Sequence, residues 1–98
     1  MIWIYCKTID DPKEVGEYIC KSNFNQDART KNSHVLKDEN EDDCWIIKTS
    51  SDDKTSAMIY RIRHEVLVIE IDEECAANVL EPLMTRYGFD NLKWLLTK

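Results

Sequence analysis

Five carboxylates stand within six residues at 38–43, and this acidic run is the densest group of chemically active side chains in the sequence. Its acidic residues are Asp38, Glu39, Glu41, Asp42 and Asp43. A calcium loop takes oxygen ligands from its first, third and fifth positions, and Asp38, Asn40 and Asp42 have that spacing. The sixth position, however, is Asp43 where a glycine is needed, and the twelfth is Thr49 where a bidentate glutamate is needed. We therefore expect no metal site here.

The net charge of the chain points to a second function for the acidic run, the binding of a basic partner. The chain has 98 residues and a formal net charge of -6, which repels nucleic-acid phosphates and favours a partner with a basic surface. Asp52 and Asp53 mark a second acidic turn, and both turns lie at strand ends. Carboxylates around strand ends predict docking on a basic protein cleft in place of phosphates. The alternative is that these loops only keep the domain soluble.

Cysteine and histidine patterns give little support to catalysis. The cysteines are Cys6, Cys20, Cys44 and Cys75. Their spacings of 14, 24 and 31 residues lack the close pairs of zinc and redox sites, so we expect buried, reduced thiols. A nucleophilic pair of Cys44 with His64 is conceivable across a hairpin, but any small domain with four cysteines offers such pairs. With only two glycines there is no phosphate-binding loop, and we expect no enzymatic activity and no cofactor.

The aromatic residues could form a platform on which nucleic-acid bases stack. They are Trp3, Tyr5, Trp45, Tyr60 and Trp94. Single-strand binders place basic residues between such rings, and this sequence does not. Because aromatic residues in strands more often fill the interior, we expect this set in the hydrophobic core.

The N-terminal half predicts a strand, a helix and a long polar loop. Residues 2–9 are β-branched and aromatic with two apolar faces, which is typical of a central strand. A helix then begins at Pro12, a favoured first position for proline. Gly16 weakens this helix by about 1 kcal/mol relative to alanine, so the helix must depend on packing. Residues 24–43 form a polar loop, which a short strand at 34–37 would shorten.

Three apolar runs in the second half predict strands at 44–50, 55–63 and 66–72, the first two as a hairpin. The apolar side chains of the second run fall at even positions and those of the third at odd positions. A tight turn at 64–65 reconciles the two phases, and a β-bulge is the alternative. The pairs across the tight turn would be Ile62 with Leu67, Tyr60 with Ile69, and Met58 with Ile71.

The remaining residues predict a helix and a closing strand. The helix begins after Asp72 and ends before Gly88. Pro82 removes one of its backbone hydrogen bonds, so we expect a kink or a break near Glu81. Residues 91–98 alternate as a strand does, and a terminal helical turn is the alternative.

The element order predicts one α+β domain over residues 1–98, with a polar loop at 24–43. The sheet is expected to be mainly antiparallel with two helices on one face, in a ferredoxin-like βαββαβ layout with an extra strand. The N-terminus has no basic leader and only a short apolar stretch. We therefore expect a cytoplasmic protein without a membrane span.

Size, charge and the absence of a catalytic motif together favour a small acidic protein-interaction module. Such modules include inhibitors that a phage or another mobile element uses against a host protein that handles nucleic acid. The expected partner-binding residues are Asp38, Glu39, Glu41, Asp42, Asp43, Asp52 and Asp53. The alternative is a regulatory or ligand-sensing domain that acts as a homodimer, because exposed sheet edges invite self-association. Direct nucleic-acid binding is not expected.

Overall fold

The computed structural model describes residues 2–22, 33–48, 55–87 and 92–96, and this part of the chain has an α+β fold. Its strands are β1 (Ile2–Lys7), β2 (His34–Lys37), β3 (Cys44–Lys48), β4 (Thr55–Arg63), β5 (Val66–Ile71) and β6 (Leu92–Leu96). Helix α1 (Pro12–Lys21) follows β1, and helix α2 (Glu73–Tyr87) follows β5. Neither helix combines the length and apolar character that a membrane span needs.

The strands form one sheet in the order β2-β3-β4-β5-β1-β6, and every neighbouring pair is antiparallel. Strand β1 therefore lies between two others, as its two apolar faces predicted. The short strand at 34–37, the alternative given for the polar loop at 24–43, is present and shortens that loop. The earlier part of that loop, 24–32, lies outside the described residues.

Strand β2 has a topological consequence, because each helical connection returns the chain so that the next strand runs in the original direction. An even number of hairpin-linked strands must then separate the two helices if β5 is to run antiparallel to β1. The strands β2 to β5 provide that even number. Without the four residues of β2, the pairing of β1 with β5 would have to be parallel.

The pairing of β4 with β5 differs from the predicted register. Ile59 pairs with Ile69, and Tyr60 pairs with Val68. A register shift between Arg61 and Arg63 leaves Ile62 without a partner, so the bulge is present and the pairs predicted for a tight turn are wrong by one residue. The bulge adds one residue to β4 alone, so odd positions of β4 pair with odd positions of β5, and Met58 and Tyr60 share the other face with Glu70 and Val68.

One hydrophobic cluster joins both helices to the sheet. From α1 and α2 it takes Val15, Ile19, Cys20, Cys75, Ala76, Val79 and Leu83. From the strands it takes Ile2, Ile4, Ile47, Ala57, Ile59, Leu67, Ile69 and Ile71. Burial of one such aliphatic side chain contributes about 1.5–3 kcal/mol, so this cluster dominates the stability of the fold.

Helix α1 approaches the sheet most closely at Gly16. A Cβ atom added there would lie 3.2 Å from Cδ1 of Ile59 and 3.2 Å from Cγ2 of Val35. Glycine costs about 1 kcal/mol of helix propensity relative to alanine, but it allows this close approach. Gly16 thus lowers the helix propensity of α1 and also permits the close packing on the sheet that stabilises α1.

Helix α2 continues through Pro82, so the break predicted near Glu81 is wrong. The Pro82 carbonyl accepts a hydrogen bond of 2.9 Å from the Tyr18 hydroxyl of α1. The rings of Tyr18 and Tyr87 also meet edge to face, with their centroids 6.3 Å apart. These contacts join the two helices outside the apolar cluster.

Replacement of Gly16 tests the close approach of α1. We expect Gly16→Val to lower the free energy of unfolding by about 1–3 kcal/mol, because its methyl groups would overlap Ile59 and Val35. Glu17→Val places the same side chain at the next, exposed position, and should change stability by no more than about 0.5 kcal/mol. Urea unfolding measures both, and equal stabilities for the two variants would contradict this packing.

All four cysteines are buried. Burial, and to a lesser degree the charge of Asp10, raise the pKa of Cys6 to about 12. Burial, and then Glu17, raise the pKa of Cys20 to about 11. The folded protein therefore keeps protons that the unfolded chain, with thiol pKa values near 9.0, releases first.

This difference in proton binding predicts a loss of stability in alkali. The thiols' contribution is complete below about pH 9 and declines as the pH rises towards 11–12, because the unfolded state there binds fewer protons. Urea unfolding under reducing conditions, repeated across this range, measures the slope. Cys6→Ala should flatten it, whereas an unchanged slope in that variant would exclude the thiol as its source.

Candidate functional site

The acidic run 38–43 forms the turn between β2 and β3, and it is closed by its own backbone. The Asp38 N–H donates to the Cys44 carbonyl at 2.9 Å, and the Asp38 carboxylate accepts from the Asn40 N–H at 2.9 Å. Asp43 has a φ of 52°, in the left-handed region that aspartate enters more readily than most residues. The run is therefore a defined turn, which we call the acidic loop.

The Lys37 side chain bonds to the main chain of the acidic loop and forms no ion pair with a described carboxylate. Its Nζ donates to the main-chain carbonyls of Asp38 at 3.1 Å and Glu41 at 2.6 Å. The side chains of Glu39, Glu41, Asp42 and Asp43 are exposed, and none of them forms an ion pair with a described residue. Four carboxylates are thus presented to solvent from one short turn.

Cys44 ends the acidic loop as a buried thiol, 2% exposed. Burial first, then the charge of Asp38 and a hydrogen bond to its carboxylate, raise the pKa of Cys44 to about 11. A cysteine nucleophile reacts as its thiolate, which this environment disfavours. In the register of β3 and β4, Cys44 lies opposite Tyr60, whereas His64 lies in the turn after β4. The arrangement does not favour a catalytic pair of Cys44 and His64.

The side chains that alternate with the core positions form two rows across the sheet, which we call the tyrosine face. From β1 to β3 one row is Tyr5, Val68, Tyr60 and Cys44. From β1 to β2 the other row is Trp3, Glu70, Met58, Ile46 and Leu36. None of these residues belongs to the cluster that joins the helices to the sheet. Most are half-buried, and Leu36 is 41% exposed.

The tyrosine face corrects the expectation that the aromatic residues fill the core. Trp3, Tyr5 and Tyr60 are half-buried and lie outside the core cluster. Trp45 is also half-buried, with the Lys13 ammonium 5.3 Å from its ring centroid, and the side chain of Trp94 lies outside the described residues. The sequence signal for this face was the second apolar side of β1, whose meaning depended on the bulge in β4, the alternative to the tight turn.

Glu70 is the single acidic residue of the tyrosine face, and it stands between Trp3 and Met58 in register. Burial and a hydrogen bond to Glu70 raise the pKa of the Tyr60 hydroxyl. The indole Nε1 of Trp3 is buried without a hydrogen-bond partner among the described residues. A half-buried carboxylate thus lies among aromatic and thioether side chains.

A cleft of about 530 Å³ separates the acidic loop from the tyrosine face. It is lined by Asp38, Asn40, Glu41, Asp42, Cys44, Met58, Tyr60, Arg61 and Glu70. The Arg61 guanidinium donates to the main-chain carbonyls of Thr8 at 2.8 Å, His64 at 3.0 Å, and Asp10. The Arg61 guanidinium is therefore bonded to backbone oxygens. Of the four carboxylates that line the cleft, three belong to the acidic loop and one, that of Glu70, belongs to the tyrosine face.

The structure brings together five of the seven predicted site residues, those of the acidic loop. Asp52 and Asp53 lie outside the described residues. The sequence pattern did not identify Met58, Tyr60 and Glu70 as members of the site. Among the residues that the structure describes, no group of three or more His, Cys, Asp or Glu is placed to hold a metal ion.

Comparisons with protein-family models, with curated proteins and with solved structures find no match to this chain. Among the described residues, the two features that bear on function are the acidic loop and the tyrosine face, which meet at the cleft.

The hydrogen bond from Asn40 to Asp38 gives the acidic loop a testable structural role for one of its carboxylates. Asp38→Ala removes this acceptor and the thiol partner of Cys44, so we expect the free energy of unfolding to fall by about 1 kcal/mol. The Asn40 amide should also exchange faster with solvent, as NMR can measure. Glu39→Ala removes the same charge from an exposed neighbour and should leave both properties unchanged; an equal effect of the two variants would contradict this role.

Proposed function

We propose that this chain is a small cytoplasmic protein-interaction module that docks on a basic protein surface through the tyrosine face and the acidic loop. The observation that carries the proposal is their adjacency: exposed carboxylates of a defined turn border an apolar, aromatic sheet surface across one cleft. Either feature alone has a simpler explanation. Together they have the composition of a protein-binding site, with an apolar centre and a charged rim.

The proposal includes a finer description of the fold. We infer that both helices cover the sheet face that carries Ile4, Ile59 and Ile69, since the core cluster contains residues of both helices and of that face. Neither described helix then covers the tyrosine face, which we assign to a partner. The order β6-β1-β5, with α2 connecting β5 to β6, further suggests a ferredoxin-like arrangement in which the meander between the helices has been extended.

The two parts of the surface would contribute different terms to binding. Burial of aromatic and aliphatic side chains supplies most of the affinity of protein interfaces. Carboxylates at a rim accelerate encounter with a basic partner and disfavour acidic ones. The five strands from β2 to β1 span about 19 Å at about 4.8 Å per strand, so the tyrosine face suits the centre of an interface and the loop its rim.

The charge of the chain favours a partner that normally binds nucleic acid. A net charge of -6 opposes direct binding to phosphates, whereas carboxylates grouped on one turn can occupy basic sites that phosphates fill. An inhibitor of a host nucleic-acid-handling protein, of the kind that phages and other mobile elements carry, has these properties. A homodimer through the same face is less favoured, because a second copy would bring a second acidic loop towards the first.

Affinity capture with matched charge variants tests the proposal. The loop variant carries Glu39→Gln, Glu41→Gln, Asp42→Asn and Asp43→Asn, and retains Asp38 because of its hydrogen bonds. The control variant carries Glu14→Gln, Glu17→Gln, Glu65→Gln and Glu73→Gln, which are exposed elsewhere and give the same net charge. We expect the wild type and the control variant to retain a basic protein that duplex DNA competes away. The loop variant should lose that protein.

The apolar half of the surface has its own matched pair. Ile46→Asn alters the tyrosine face, whereas Ile9→Asn alters a side chain that is 74% exposed outside it. Loss of an apolar side chain from an interface centre should weaken binding about tenfold or more, and only for Ile46→Asn. Equal losses from the loop and control variants, or retention of no basic protein, would overturn the proposal. So would a homodimer, detected by sedimentation, that Ile46→Asn dissociates.

A further inference from the structure

The cleft between the acidic loop and the tyrosine face has the chemistry of a pocket for one side chain. We propose that it receives an arginine side chain of the basic partner, an inference that rests on the docking function proposed above. The cleft volume of about 530 Å³ lies within the range of about 300–1,000 Å³ found for small-ligand pockets. It can therefore admit a long side chain together with water.

The groups around the cleft complement the two parts of an arginine. Met58 and Tyr60 offer apolar and aromatic surface to the aliphatic stem and the planar guanidinium. Glu70, at the tyrosine face, offers a carboxylate that can accept two parallel N–H bonds. Asp42 and Glu41 add negative charge on the opposite wall, from the acidic loop.

The same features favour arginine over lysine. A guanidinium is planar, so it can stack on a tyrosine ring while its edge bonds to a carboxylate. An ammonium is compact and strongly hydrated, and it makes neither contact as well. The half-buried position of Glu70 beside Tyr60 suits the more weakly hydrated cation.

The protein already holds one of its own arginines with the same kinds of groups. The Arg86 guanidinium carbon lies 4.9 Å from the ring centroid of Tyr18 and 5.6 Å from that of Tyr87. A guanidinium nitrogen of Arg86 is 3.5 Å from a carboxylate oxygen of Asp10. Tyrosine and a carboxylate thus bind arginine elsewhere in this fold, and the cleft repeats that combination.

The cations nearest the cleft do not form ion pairs with its carboxylates. Arg61 is bonded to three main-chain carbonyls, and the Lys37 Nζ is bonded to two. Within the described residues, neither is ion-paired with Glu70, Asp42 or Glu41. Within the part of the chain that the structure describes, these carboxylates thus have no bonded cation, and a partner's guanidinium can take that place.

Three capped amino acids test the choice of ligand on the full chain. The probes are N-acetylarginine methylamide, the lysine analogue and the neutral citrulline analogue, each titrated at constant ionic strength. We expect the arginine probe to shift the NMR signals of the Asn40, Cys44 and Tyr60 amides saturably. The lysine probe should need a concentration at least about threefold higher for the same shift, since its ammonium neither stacks nor forms paired bonds. The citrulline probe, without charge, should give no saturable shift.

Substitutions then locate the binding site. Glu70→Gln should raise the dissociation constant of the arginine probe about tenfold, because it removes the charge of the paired hydrogen bonds. Glu65→Gln removes one exposed charge elsewhere and should leave the constant within about twofold. Asp42→Asn, on an exposed side chain, provides a second variant if Glu70→Gln disturbs the fold, and it too should weaken binding.

The inference is overturned if arginine and lysine bind equally, if neither binds, or if Glu70→Gln and Asp42→Asn both leave binding unchanged. Failure of the probes while capture of the basic partner still depends on the acidic loop removes the arginine pocket and retains the docking function. If the arginine probe binds but no basic partner is captured, the docking function is overturned. The assignment of a partner's arginine to the cleft is overturned with it.

Discussion

One extra residue in β4, between Arg61 and Arg63, determines which side chains of this sheet enter the core. With the bulge, Ala57 and Ile59 belong to the cluster that contains apolar residues of both helices, and Met58 and Tyr60, which alternate with them along β4, do not. Arg61 fastens the bulged strand to the end of β1 through bonds to the carbonyls of Thr8 and Asp10. A regular strand would exchange the two sets, because a shift of one residue turns every side chain to the other face. Core and tyrosine face alike depend on this bulge.

The candidate site follows from the same constraint. Because Tyr60 lies opposite Val68, it can reach Glu70, and because it lies opposite Cys44, it stands next to the acidic loop. The loop is in turn held by main-chain bonds and Lys37, so its carboxylates need no counter-charge to stay in place. The acidic run, which is unremarkable as a solvated turn, gains significance from the apolar surface that it borders.

Much of the architecture could be predicted from sequence. The strand and helix positions followed from apolar periodicity, from Pro12 at a helix start and from the turn at 64–65. The register of β4 could not be derived, since β4 carries apolar side chains at odd positions, Ala57 and Ile59, as well as at even positions, Met58 and Tyr60. The packing of α1 against Ile59 at Gly16 distinguishes the two registers, and that contact joins residues distant in sequence. The acidic residues of the site were identified by charge, but Tyr60 and Glu70 were not, because their roles depend on that register.

The central claim is that a partner covers the tyrosine face beside the acidic loop. Methyl NMR of the chain with its captured partner tests this most directly, because isoleucine and methionine methyls report on both faces. The account predicts shifts or broadening at Ile46 and Met58, with no change at Ile9 and Met84, which are 74% and 39% exposed outside this face. Perturbation of Ile9 and Met84 with Ile46 and Met58 unchanged would contradict it.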